Sequence, residues 1–190
     1  IYSLITYDYH QHVSLLSYPE LEGRVILLDG WSKTYAMTGW RLGYAVWPEP
    51  LLEGAIRLAI NCHSCVNAAT QFAGIAALNG PQNSVSNMVS EFDRRRKLIV
   101  EGLNKVPGFR CITPSGAFYA FPNITETGIS SKDLQDRLLE DAGVATVAGT
   151  SFGILGEGYL RFSYANSAEN IAAALGRTLN LLENRDSPNR

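Results

Sequence analysis

The segment Ser32-Lys33-Thr34-Tyr35-Ala36-Met37-Thr38-Gly39-Trp40-Arg41-Leu42-Gly43-Tyr44 sets one amine and one guanidinium in a polar, glycine-punctuated stretch. Short apolar runs flank it, Val25-Ile26-Leu27-Leu28 before and Ala45-Val46-Trp47 after, each of buried-strand type. A lysine just beyond the end of a buried strand is partly desolvated, a setting that suits carbonyl chemistry. The fixed fork of the following arginine suits a phosphate. Together they match a ligand held covalently through an aldehyde and anchored through a phosphate, which is what pyridoxal phosphate requires. A nucleotide-binding phosphate loop does not fit, because Leu27 and Ser32 stand where its two glycines are needed.

Ser32-Lys33 followed by Met37-Thr38-Gly39-Trp40-Arg41-Leu42-Gly43-Tyr44 resembles the signature of class I/II aminotransferases, the fold-type I pyridoxal-phosphate enzymes. The resemblance implies a Schiff base between Lys33 and pyridoxal 5'-phosphate, with Lys33 also carrying protons in catalysis. It implies further cofactor contacts from Ser32 and Arg41, the latter at the phosphate. The opening Ile1-Tyr2 is similar to the end of the family's Asp-Glu-Ile-Tyr motif, which makes Tyr2 the partner of the cofactor's ring hydroxyl. On the same resemblance the chain reads as the latter part of a longer one. The aspartate that pairs with the pyridine nitrogen and the N-terminal half would then precede Ile1.

A second chemical landmark is Tyr159-Leu160-Arg161-Phe162-Ser163-Tyr164-Ala165. Leu160, Phe162 and Tyr164 alternate with Arg161 and Ser163, so one strand face presents a guanidinium beside a small serine. That geometry suits bidentate capture of a carboxylate. The resemblance assigns Arg161 to the substrate's α-carboxylate and sets Tyr119, in Gly116-Ala117-Phe118-Tyr119, at the substrate mouth. A salt-bridge role for Arg161 and plain core packing for Phe118 and Tyr119 are the structural alternatives.

Elements that would position these groups follow from the pattern. Residues 1–7 look strand-like, and residues 7–24 form a turn-rich surface loop in which no Cys, Asp or Glu cluster near His10 and His12 completes a metal site. Pro48-Glu49-Pro50 opens a helix with Leu51, Leu52, Ala55, Ile56, Leu58 and Ala59. The loop Asn61-Cys62-His63-Ser64-Cys65-Val66-Asn67 holds half of a zinc pattern with no second pair, so no metal site is expected. The resemblance puts Ser64 and Asn67 at a dimer interface, near the other subunit's phosphate.

A helix over 68–78 stops at Asn79-Gly80-Pro81, and a long one over about 83–105 carries Met88, Phe92, Ile99 and Leu103 on one stripe. Its Arg94-Arg95-Arg96-Lys97 run, set among Glu91, Asp93 and Glu101, reads as a solvated face. Residues 109–113 and 116–122 read as two strands around Pro114-Ser115-Gly116. Ser130 begins a helix whose inner face is Leu134, Leu138 and Ala142; Gly143 ends it, residues 144–147 form a short strand and 148–153 a loop. Ser167 caps a last helix with Ile171, Leu175, Leu179 and Leu182 inward, and 185–190 form a frayed polar tail.

The fold class is therefore α/β, the C-terminal portion of a fold-type I transferase. Residues 1–106 would be the rest of the cofactor-binding large domain with its interdomain helix, and 107–190 a small α/β domain. With 46% hydrophobic and 18% charged residues the chain is of globular composition, and its formal charge of −2 argues against nucleic-acid binding. No apolar stretch is long enough to cross a membrane, and three cysteines suit a reducing cytoplasm. The expected activity is transfer of an amino group between an amino acid and a 2-oxo acid. The expected partners are those substrates and either a second copy, as homodimer, or a missing N-terminal half. Other readings are a non-catalytic folded fragment, an effector-sensing module, and a pyridoxal-phosphate C–S lyase.

Overall fold

The computed structural model describes residues 1–184; the tail read as frayed lies outside them. The chain divides into two compact units, Ile1–Val89 and Ser90–Arg190, with the division inside the long helix.

The first unit holds β1 (Leu27–Gly30) and β2 (Gly43–Val46), paired antiparallel with Leu27 opposite Val46 and Gly30 opposite Gly43. Helices α1 (Glu49–His63) and α2 (Ala68–Asn79) follow, and α3 (Asn83–Leu103) begins here. Residues 1–7 do not form the expected strand. The Ile5 N–H instead closes a turn onto the Tyr2 carbonyl at 2.8 Å, which leaves an isolated bridge at Thr6. The runs beside the lysine segment are strands but not buried ones. Leu28 is 68% exposed and Ile26 and Val46 are exposed too, because among the described residues β1 and β2 pair only with each other. Helix α1 runs further than its pattern suggested and takes Cys62 and His63 into its last turn; none of its residues is buried.

The second unit is built around a three-stranded antiparallel sheet, ordered β3 (Tyr119–Ala120), β5 (Leu160–Ser163), β4 (Val147–Ala148). Helices α4 (Ser131–Glu140) and α5 (Ala168–Glu183) and the latter part of α3 belong to it. Leu134, Leu138, Leu160, Phe162, Tyr164 and Ile171 form its core. Both sequence-read caps are present, as Ser130 accepts from the Asp133 N–H and Ser167 from the Asn170 N–H.

Two readings are corrected here. Residues 109–113 are not a strand. The Asn104 side chain accepts from the Cys111 N–H (2.8 Å) and donates to its carbonyl (3.0 Å), replacing a strand partner and leaving only a bridge between Arg110 and Asn123. The basic run on α3 is not wholly solvated: Arg96 is 1% exposed, paired with Asp93 at 2.6 Å, and donates to the Pro114 carbonyl at 2.8 Å.

Candidate functional site

In the first unit the lysine turn is fixed from both ends. Trp31 leaves β1 with its N–H bonded to the Leu42 carbonyl at 3.3 Å, while its indole N–H donates to the Gly74 carbonyl on α2 at 3.1 Å. A Cβ at Gly74 would run into the end of the Leu42 side chain and touch the Trp31 ring, so glycine lets α2 approach the turn without displacing Leu42. From this anchor the chain makes a tight turn, Tyr35 N–H to Trp31 carbonyl and Ala36 N–H to Lys33 carbonyl, each 3.2 Å. Lys33 sits in that turn, half-buried, between half-buried Ser32 and buried Thr34.

The chain then coils through a single 3-10 turn, Thr38–Trp40, and Arg41 follows in the left-handed region at φ 55°. That backbone lets the Arg41 guanidinium reach back to the Thr38 carbonyl at 2.8 Å while the residue stays exposed. Arg41 opens on a cleft of about 1020 Å³ that Trp40, His63, Cys65, Asn67 and Thr70 also line. Asn67 caps α2 through the Thr70 N–H at 3.2 Å, so the positive end of α2 and a guanidinium meet in one cleft. The pairing suits an anion. Lys33, Ser32 and Tyr2 are not among the residues lining that cleft. Thr34, Tyr35 and Ala36, immediately after Lys33, instead line a smaller cavity of about 260 Å³ with Met37 and Met88. Tyr2 is half-buried in the opening turn.

His63 and Cys65 border the cleft, but no group of three or more metal-ligating side chains exists among the described residues. Beside the turn, the Tyr44 hydroxyl is pushed up from its ordinary range, first by burial and then by the Asp29 carboxylate.

In the second unit β5 alternates as its sequence requires, with Leu160 and Phe162 buried and Arg161 and Ser163 on the other face. Tyr119 pairs with Ser163 across the sheet, which makes it the diagonal neighbour of Arg161 on that face. The Arg161 guanidinium carbon lies 4.5 Å from the Tyr119 ring centroid and 4.7 Å from that of Phe152. Among the described residues no carboxylate or carbonyl accepts a hydrogen bond from this guanidinium, so the salt-bridge alternative is not realised. Tyr119 thus lies against Arg161, while Phe118 is buried core against Phe92.

Phe152 was not singled out by sequence. Its segment read only as a loop, and the signal was the pair Gly149 and Gly156 bracketing an aromatic. The backbones of those two glycines touch where any Cβ would clash.

The chain matches the family model described as aminotransferase class I and II over residues 1–177. It is 40% identical over 185 residues to an aspartate aminotransferase of Pyrococcus horikoshii, covering 96% of this chain and 46% of that protein. To aromatic-amino-acid aminotransferase 2 of Thermococcus litoralis it is 37% identical over 187 residues, covering 97% and 48%. The crystal structure of the aromatic aminotransferase from Pyrococcus horikoshii OT3 superposes with a TM-score of 0.93 at 38% identity, covering 97% of this chain and 50% of that one. The chain thus spans about half the length of the curated relatives it matches.

Proposed function

The chain belongs to the class I and II aminotransferases, and we propose that the protein moves an amino group between an amino acid and a 2-oxo acid with pyridoxal 5'-phosphate. The donor chemistry fits that cofactor. Arg41 and the open end of α2 share a cleft suited to a dianion, and Lys33 offers a primary amine in a turn pinned by Trp31. In this reading Arg41 holds the phosphate, Ser32 is a further cofactor contact, Tyr2 meets the ring hydroxyl, and Lys33 Nζ is the covalent anchor. Pyridoxal phosphate, when bound, supplies the electron sink that lets the substrate's α C–H bond break. Lys33 Nζ then carries the α-proton. Arg161 receives the substrate α-carboxylate along its N–H edge and fixes the orientation of the α-carbon, with Tyr119 beside it.

The observation that carries this reading is the Arg161 guanidinium, held between two rings and left without an anionic partner among the described residues. The names of the relatives, aspartate and aromatic-amino-acid aminotransferases, support an α-amino acid as substrate. Leu51, Leu52, Ile56 and Leu58 lie exposed on α1, which supports association, with a second copy in a homodimer or with a further segment. Free Cys62, Cys65 and Cys111 support a cytoplasmic setting.

The test is addition of pyridoxal phosphate to the chain, reduction with borohydride, and peptide mapping of the phosphopyridoxyl mass. Saturable labelling confined to Lys33 is expected. Labelling spread over the surface lysines would remove Lys33 from the role of anchor.

A further inference from the structure

Taking Arg161 as the carboxylate-binding residue, as proposed above, we infer that Phe152 is its positioning residue: the Phe152 and Tyr119 rings clamp both faces of the guanidinium, so that only its N–H edge meets an incoming carboxylate. Three observations carry this. The guanidinium carbon stands at nearly equal distances, 4.5 and 4.7 Å, from the two ring centroids. No acceptor among the described residues takes its N–H groups, so the rings are what hold it. Phe152 itself is 55% exposed, so burial in a core does not account for where its ring stands.

The loop is built to keep that ring in place. Gly149 donates its N–H to the Tyr159 carbonyl at 2.8 Å, which ties the start of the loop to the entry of β5. The Gly149 and Gly156 backbones approach too closely for any side chain, which closes the base of the loop. The Gly153 N–H returns to the Thr150 carbonyl at 3.1 Å, and Gly153 has φ 122°, a conformation L side chains rarely adopt. Behind Phe152 stands Phe121, edge-on at 6.2 Å, and Phe121 is stacked on Tyr159 at 5.2 Å with 7° between the planes. A shelf of rings thus backs one face of the arginine and Tyr119 covers the other.

The physical consequence is pre-organisation. An arginine side chain free in solvent has many rotamers, and ordering it on binding weakens the complex. Held against two rings, Arg161 has part of that ordering done in advance, which favours bidentate capture of a carboxylate by its fork. Removal of the Phe152 ring should weaken carboxylate binding without touching the carboxylate itself.

The experiment uses the chain with 15N-labelled arginine, pyruvate as the probe carboxylate, and NMR of the arginine Nε–Hε groups. In the wild type the Arg161 Hε resonance is expected upfield of the other arginines from the ring currents, and it should move saturably with pyruvate. Phe152→Leu, apolar but ringless, should abolish the upfield shift and raise the pyruvate Kd roughly threefold, the scale of a cation–π contact at an exposed site. Phe152→Tyr should restore both. Arg161→Gln supplies the control for the underlying reading. If pyruvate moves Arg161 but Phe152→Leu binds as the wild type does, the positioning role fails and the carboxylate role stands. If pyruvate leaves Arg161 unmoved, or Arg161→Gln binds it equally well, both fail. Because Phe152 is exposed, the backbone spectra of the variants should overlay that of the wild type.

Discussion

Arg96 is among the largest fully buried side chains, and its removal should separate two kinds of damage. Its guanidinium pairs with Asp93 at 2.6 Å and donates to the Pro114 carbonyl at 2.8 Å, holding α3 to the segment that leads to Tyr119. At an effective dielectric of about 20 and a charge separation of roughly 4 Å, the pair attracts by about 4 kcal/mol before desolvation is subtracted. The two partners are not equally buried. Side-chain exposure is 2% for Arg96 and 29% for Asp93, and Asp93 also holds Lys97 at 2.6 Å. Arg96→Met leaves a carboxylate that water and Lys97 still serve, plus one weakened acceptor at Pro114, for a loss of about 2 kcal/mol. Asp93→Asn takes a carboxylate away from a guanidinium that water barely reaches, for a loss of about 3 kcal/mol. Burial by itself would raise the Asp93 carboxyl, but hydrogen bonds from Lys97 and Arg96 more than reverse this and hold it below its ordinary range. Its stabilisation is accordingly present above the unfolded-state value and lost as pH falls through the lower folded one. Urea unfolding followed by far-UV circular dichroism, with hydrogen exchange to locate the change in the second unit, measures both variants. Asp93→Asn proving no more harmful than Arg96→Met at pH 7 would refute the argument from unequal burial.

Two further outcomes are expected. The Cys111 thiol is buried and pushed up to about 11 by desolvation, whereas Cys62 and Cys65 are exposed. An aromatic disulfide reagent at pH 8 should titrate two thiols quickly and the third only after denaturation; three fast thiols would contradict the burial of Cys111. Glu157 accepts the Ser131 N–H at 2.8 Å, and that hydrogen bond outweighs the effect of burial and holds its carboxyl below the ordinary range. A lowered carboxyl stabilises the fold above its unfolded value, about 4.3, and loses that contribution as pH falls through the folded one. Glu157→Gln should thus flatten the acid limb of a stability–pH profile, and an unchanged limb would assign it to other carboxylates.

Much of the second unit was legible because its signals are local. Ser130 and Ser167 sit where an N-cap must, and the Leu134–Leu138 spacing and the alternation around Arg161 follow from helix and strand periods alone. The misses arose where a side chain displaced a backbone pattern. Residues 109–113 have strand composition, yet the Asn104 amide takes both polar groups of Cys111. Arg96 looked like one of four solvated cations, but Phe92, Arg96, Ile99 and Leu103 fall at spacings of four, three and four, which is the inward stripe itself. Charge type was allowed to outweigh position. The proposed site shows the same division: Lys33, Arg41 and Arg161 are picked out by type and motif, whereas Phe152 comes against Arg161 only when its loop folds back over β5.

The first unit shows what a hydrophobic period does and does not specify. Helix α1 carries the expected apolar stripe, with Glu53 and Arg57 paired on the other side, yet none of its residues is buried. Strand β1 is apolar in sequence, yet Leu28 is 68% exposed. Two paired strands form a marginal sheet by themselves, and exposed aliphatic stripes of this length are rare on isolated soluble domains. An apolar stripe is a demand for burial that does not name the surface that meets it. In the second unit the chain's own sheet and helices meet that demand, as Leu134, Leu138, Leu160 and Ile171 show. In the first unit few apolar residues meet it: Ile5, Tyr7 and Val85 are buried, as are Thr34 and Met37 in the lysine turn, where Trp31 is bonded to α2. The chemical turn is thus one of the anchored parts of a unit whose remaining apolar surface is available to another chain or segment. If Lys33 holds the cofactor as proposed, binding there and association of the first unit are expected to be coupled rather than independent.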